Sequence, residues 1–273
     1  MKVLKLAGFS FIASLIAFFL GWMSLQFSPH FKTEGWSVFS RLSSDLVVSY
    51  AFHFDTQQEL DLKGVRVLKV EGVSTDIKVS GVNGPTSHLE FKGHAIGHAD
   101  ASGEEKPWIL ERDGDVLVIR FDEPHEGSSF KLHQNKKPTR ARIEISRDLK
   151  LAVQVKGVSS DIQIENLTSP SLQVSSVSGE VEVSTVTESL QVETTSGDIE
   201  IDLLERAPKA QVASVSGSVV FTASKMQDVV SAWVKTVSGE LSSSGRWLLN
   251  QSEEDSRIKI KTISGDVKLT EKD

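Results

Sequence analysis

The chain has 273 residues, 39% of them apolar and 25% charged, with 30 Lys and Arg against 37 Asp and Glu and no cysteine. This composition excludes a disulfide-stapled miniprotein, a cysteine-ligated metal protein, thiol chemistry and a wholly disordered chain. The net charge is −7, and −9 beyond the two amino-terminal lysines, a poor match to a nucleic-acid polyanion.

After Lys2 and Lys5 the sequence runs without a charge from Leu6 to Phe27. A helix of that length spans about 33 Å, enough to cross a bilayer core of about 30 Å. The two lysines ahead of it keep the amino end in the cytoplasm and place the bulk of the chain in the periplasm or outside the cell. A cleaved signal peptide is the competing reading. Residues Gly21 to Phe27 match a small-x-small cleavage site poorly, so an uncleaved single-pass transmembrane anchor is expected over residues 1–27. Residues 28–60 read as a juxtamembrane connector. Trp36, Phe39 and Leu46 recur in it at near-helical spacing, and from Val48 a period of two begins.

Beyond Leu62 the chain repeats itself. Seven twelve-residue segments align without a gap: LKVEGVSTDIKV from Leu68, VQVKGVSSDIQI from Val153, LQVSSVSGEVEV from Leu172, LQVETTSGDIEI from Leu190, AQVASVSGSVVF from Ala210, AWVKTVSGELSS from Ala232 and IKIKTISGDVKL from Ile258. Each reads apolar-x-apolar, a polar break, a β-branched residue, Ser, usually Gly, usually an acid, then apolar-x-apolar. Two such short strands cannot bury a face alone, but coils stacked about 4.8 Å apart can. The expected fold is all-β, a β-solenoid of the single-stranded β-helix type with about seven repeats of 18–26 residues, filling 61–273. An irregular insertion at 80–150 interrupts it. One inward column is expected to run Val174, Val192, Val212, Val234, Ile260 in chain order, and a second Val181, Ile199, Val219, Leu241, Val267. Gly179, Gly197, Gly217, Gly239 and Gly265 mark corners that need positive φ. Gln154, Gln173, Gln191 and Gln211 share one repeat position and could form an amide ladder.

The segment ARIEISRDLKLAVQVKGVSSDIQIENLTSPSLQVSSVSGEVEV, followed by LQVETTSGDIEI, resembles the bacterial putative-adhesin family, a toastrack-like domain of unknown function. The resemblance covers about residues 60 to 273. It implies a β-solenoid-like domain, often attached to a membrane segment and facing the envelope, and supplies no catalytic residues.

No chemistry-bearing constellation rises above the repeat. His94, His98 and Asp100 would share one face of a strand, yet His94 and His98 would lie about 13 Å apart when extended, so no metal is expected. Asp122, Glu123, His125 and Glu126 lie in a loop that would not hold a general acid and base rigidly. The acids Asp76, Asp161, Glu180, Asp198, Glu240 and Asp266 form a column after the corner. A cation could relieve their repulsion, but the nonapeptide signature of calcium-binding β-rolls is absent. Lys131, Lys136, Lys137, Arg140, Arg142 and Arg147 make the one basic cluster. Candidate contact residues are Trp233, Trp247, His94, His98, Lys136 and Lys137.

These readings point to a non-enzymatic binding, adhesion or envelope-interaction scaffold without cofactor or catalytic residue. Its partners would be the membrane, through the amino-terminal helix, and an envelope protein or glycan; self-association through exposed end coils is open to it. A carbohydrate-active β-helix enzyme is the alternative, and an envelope-sensing regulatory partner of a membrane protein a third.

Overall fold

The computed structural model describes residues 50–97, 106, 108–121, 130–132, 139–204, 207–224 and 229–272. The anchor expected over Leu6–Phe27 and most of the expected connector lie outside them. Among the described residues no helix is long and apolar enough to cross a membrane. The chain divides into Met1–Val48 and Ser49–Asp273, and the second unit is the one built from described strands.

Its strands are, in chain order, β1 (Tyr50–Leu60), β2 (Val67–Gly72), β3 (Thr75–Val82), β4 (Ser87–Gly97), β5 (Trp108–Asp113), β6 (Val116–Phe121), β7 (Phe130–Leu132), β8 (Thr139–Ser146), β9 (Ala152–Ser159) and β10 (Ile162–Ser178). They continue with β11 (Val181–Ser196), β12 (Ile199–Leu203), β13 (Lys209–Ser216), β14 (Val219–Ser224), β15 (Val230–Ser238), β16 (Leu241–Ser243), β17 (Trp247–Leu249), β18 (Ile258–Ser264) and β19 (Val267–Lys272). All of the described secondary structure is β, in a solenoid-like stack.

The stack has two walls. The first carries the opening half of each repeat and runs β6, β2, β9, the second half of β10, the second half of β11, β13, β18, β15, all parallel. The second carries the closing half and runs β8, β3, β10, β11, β12, β14, β19, β16, also parallel. Alternation along each strand turns Leu68, Val70, Val153, Val155, Leu172, Val174, Leu190, Val192, Val212 and Ile260 of the first wall inward, where all are buried. The second wall answers with Ile77, Val79, Ile162, Ile164, Val181, Ile199, Ile201, Val219, Phe221, Val267 and Leu269. Each such side chain contributes about 1.5–3 kcal/mol relative to exposure, and the summed columns make one core.

The order of the last coils departs from chain order. β18 pairs with β13 on one side and with β15 on the other, and β19 lies between β14 and β16. The seventh repeat is therefore threaded between the fifth and the sixth, and the inward column runs Val212, Ile260, Val234. The seventh unit, IKIKTISGDVKL, carries inward aliphatics in both halves and is enclosed on both sides, whereas the sixth closes on Leu-Ser-Ser and has little to bury on a second side.

The stretch 80–150 is less irregular than its sequence suggests. β6 and β8 add a parallel rung beneath the first repeat, Leu117 and Ile119 opposite Leu68 and Val70, and Ala141 and Ile143 opposite Ile77 and Val79. Antiparallel strands then end the stack: β4 on β8, β1 on β4 along its whole length, and β5 on β6. Residues 50–60 thus serve as a rung of the domain. Phe91 stacks on Phe121 with ring centroids 5.7 Å apart and meets Trp108 at 5.4 Å and Phe54 at 6.5 Å, so the base of the stack is filled by aromatics.

The corner between the walls is made of backbone. The N–H groups of Gly197, Gly217 and Gly265 donate to the carbonyls of Ser216, Ser264 and Ser238 in the next coil at 3.0–3.1 Å. Gly197 has φ 134°, and a Cβ there would lie 2.0 Å from the Gly179 carbonyl oxygen; Gly217 and Gly265 meet the same obstruction at 2.2 and 2.1 Å. Glycine is thus required both by the dihedral and by the closeness of the coil beneath. Gly197→Ala is expected to lower unfolding free energy by at least about 3 kcal/mol in denaturant titration, whereas Gly84→Ala, with φ 145° but open space around it, should cost about 1–2 kcal/mol from the dihedral alone. Equal losses at the two sites would show that coil-to-coil contact adds nothing.

Candidate functional site

Outward positions of the repeat form columns just as inward ones do, and three of them bear on function. The most regular is the β-branched residue before the corner serine: Val73, Val158, Val177, Thr195, Val215, Ile263 and Val237, from base to tip. It falls on the outward phase of the strand's alternation, one place after the buried Gly157, Ser176, Thr194, Ser214 or Thr262, so an apolar side chain is left facing water. Val73, Val158, Val177, Val215 and Ile263 are 43–53% exposed, each half-covered by its neighbours, and Val237 at the end is 74% exposed. Six such residues present about 400 Å² of apolar surface in one line, the size of patch that on a monomer is often a contact surface.

A groove of about 610 Å³ runs beside the upper part of this ladder. Val215, Ile263 and Val237 line one side, and Lys235, Lys261 and Glu193 the other. Beneath it lie the buried Thr194, Ser214 and Thr262, whose hydroxyl oxygens have no hydrogen-bond partner among the described residues. Trp233 stands at the outward position beside it. Lys261 Nζ lies 5.4 Å from the centre of its ring and 3.0 Å from Glu253 Oε1. The groove therefore offers an apolar rail with cationic groups along its edge.

The second column is the acid after the corner. Asp161 Oδ1 accepts the Glu180 N–H at 3.0 Å, Asp198 Oδ1 the Ser218 N–H at 2.7 Å, Asp266 Oδ1 the Glu240 N–H at 2.8 Å, and Asp76 Oδ1 the Asp161 N–H at 3.4 Å. Each aspartate satisfies the one corner amide that the backbone ladder leaves open, so the column is structural. Among the described residues no group of three or more His, Asp or Glu side chains is arranged to hold a metal. A second groove of about 620 Å³ on this wall is lined by both signs of charge, with Arg140, Arg142 and Lys78 facing Asp161, Glu180 and Glu182.

The third column is Gln154, Gln173, Gln191 and Gln211, which are in register. Gln191 Nε2 donates to Glu193 Oε1 of its own strand at 2.8 Å and not along the column.

Of the six candidate residues, Trp233 does not line the groove but meets it through Lys261, which lies over its ring and lines the groove. Trp247 is half-buried against the core, edge-on to Phe221 at 6.1 Å, with Nε1 donating to the Thr270 carbonyl at 3.3 Å, so its role is packing. His94 has a place in β4, opposite His53 in β1, but its side chain lies outside what is described, as do His98, Lys136 and Lys137 altogether. The valine ladder was visible in the repeat as its β-branched position. The same period of two makes Val177 outward, three places after the inward Val174, but a β-branched residue beside a turn has an ordinary explanation as a strand former.

Burial, followed by repulsion from Glu182, Asp161, Asp198 and Glu200, raises the pKa of Glu180 above the ordinary carboxylate value of 4.5. Burial likewise raises Asp76, with the Asp161 amide opposing it. A carboxylate raised in the folded state binds protons more tightly there than in the unfolded chain. Its ionised form therefore destabilises the fold at neutral pH, and the penalty fades as pH falls through the folded value toward 4.5. Glu180→Gln is expected to raise Tm at pH 7 and to lose that gain in melts taken below about pH 4.5. A gain that persists unchanged at low pH would contradict this origin.

The model of the family described as Toastrack DUF4097 matches residues 43–270. No curated protein matches. Among solved structures, a putative cell adhesion protein from Clostridium sporogenes is 11% identical with a TM-score of 0.48, the match covering 81% of this chain and 100% of that one. A putative adhesin from Bacteroides fragilis is 12% identical over 81% of this chain and 97% of that one, with a TM-score of 0.37. A putative lipid binding protein from Parabacteroides distasonis is 11% identical over 79% and 96%, with a TM-score of 0.31. With the family model spanning the entire stack of coils, the chain belongs to the Toastrack DUF4097 family.

Proposed function

We propose that the protein is a membrane-anchored, extracytoplasmic β-solenoid that acts as a non-enzymatic binding scaffold in the cell envelope. The anchor is the uncharged run Leu6–Phe27, and the partner is an envelope protein or glycan. The observation that carries the binding role is the exposed ladder from Val73 to Val237 with the groove beside it. A column of β-branched residues kept half in water through six coils has no core to serve, and its lysine-edged end offers both burial and charge to a partner.

Action on envelope polysaccharide would require carboxylates free to move protons. On the charged groove of the second wall, Asp76 and Asp161 are instead spent as acceptors for corner amides, which counts against that reading.

A photo-crosslinking amino acid at Val215, in the full-length protein expressed in its native envelope, is expected to give a discrete adduct on irradiation. The same label at Glu200, on the opposite wall, should give none. Adducts at neither site, together with turnover of envelope polysaccharide that Glu180→Gln abolishes, would replace the scaffold reading with the enzymatic one. Recovery of the protein in the soluble fraction after cell lysis, with Leu6–Phe27 missing, would remove the anchor.

A further inference from the structure

The two ends of the stack are finished differently. At the base, antiparallel β1, β4 and β5 and the Phe54, Phe91, Trp108 and Phe121 cluster close the core. At the tip, formed by β15, β16 and β17, Val230 and Ala232 are buried and Trp247 packs against the core, but the core is left open over β16. Leu241 occupies the repeat position at which Val181, Ile199, Val219 and Val267 are 0% exposed, yet Leu241 is 42% exposed. Leu248 and Leu249 in β17 and Val229 just before β15 are exposed on the same end coil. No described strand pairs with the outer edge of β16, and β17 covers only the Val230–Ala232 start of β15. The result is a core open over β16, bordered on both walls by edges that, beyond Val230–Ala232, no described strand covers.

We infer that this tip is a self-association surface on which a second copy of the chain docks tip to tip about a two-fold axis. Two features select a second copy. A partner must continue both walls at once while covering the apolar section between them. Another solenoid tip matches that outline, whereas a single added strand would cover one wall and leave the section wet. The closed, antiparallel base offers no complementary parallel edge, so tip-to-base stacking into a fibre is disfavoured and the contact closes as a dimer. The open part of the tip is small beside the roughly 1,200 Å² at which stable interfaces begin, so the dimer is of the weak, reversible kind. This inference does not rest on the ladder: the two surfaces lie on different sides of the last coil, and either can fail alone.

The test is analytical ultracentrifugation of the full-length protein in mild detergent up to about 100 μM, a range that spans micromolar affinity. A monomer–dimer equilibrium is expected. Leu241→Lys combined with Leu249→Lys should weaken it at least tenfold while leaving the thermal melt unchanged, because both positions are already partly in water. Val177→Lys, in the middle of the ladder, should leave it as it was. Because the chain has no cysteine, Leu248→Cys adds an independent readout: mild oxidation should yield a disulfide-linked homodimer that Val177→Cys does not give. A monomer throughout the range without crosslink at 248, or a dimer indifferent to the tip substitutions, would overturn the inference.

Discussion

The contact on which this molecule depends is a glycine carbonyl set directly beneath the glycine of the next coil. With about 2 Å between that oxygen and the place a Cβ would occupy, each corner is as tightly stacked as the flat strands it joins. This closeness lets the corner amides bond from coil to coil and keep the spacing of neighbouring strands. It also fixes register. A one-residue slip would place a side chain over a carbonyl and at the same time turn every inward valine outward, two penalties that reinforce each other. The aspartate after the corner belongs to the same device, since its carboxylate takes up the amide that the turn would otherwise leave unpaired.

Much of this was legible in the sequence because it is local. Apolar alternation marks the columns, and Ser-Gly-acid marks the corner, so the wall positions of Val174, Val192 and Val212 follow from the alignment of the repeats. Two things were not local. The docking of β18 between β13 and β15 depends on comparing whole units across the stack, since the opening halves alone, with Val234 and Ile260 inward, hardly differ. The rung made by β6 and β8 lacks the Ser-Gly corner, since long connections replace it, so its apolar alternation was visible while its place in the stack was not. The candidate site divides in the same way. Trp233 was found because an aromatic stands out against a glutamine column. The valine ladder was passed over because β-branched residues near a turn have an ordinary explanation as strand formers.

The outward surface can vary along the stack without disturbing any of this. Core and corner are satisfied by inward side chains and backbone, which leaves each outward column free to carry its own chemistry. Acids gather at Glu180, Glu182, Asp198 and Glu200 in the middle of one wall, and Lys235, Lys259 and Lys261 near the tip of the other. A scaffold of this kind separates what holds it together from what it displays.

The threaded final coils qualify the usual account of solenoids, in which each repeat interacts with its neighbours in sequence and stability is a sum along the chain. When the sixth unit lies two rungs from the fifth, it has only the short β17 beside Val230–Ala232 until the seventh fills the gap: β15 and β16 find their full parallel partners in β18 and β19. The sixth and seventh units, β15 to β19, are therefore coupled, while the coils from β9 to β14 each pair with the unit before them in the chain. The open tip is a consequence of the same threading. The aliphatic-rich seventh unit, IKIKTISGDVKL, is enclosed on both sides, and the sixth, whose closing strand reads Leu-Ser-Ser, is left at the surface with Leu241 as its one inward aliphatic there. Folding order and the exposed end thus share one cause, the placement of the seventh repeat.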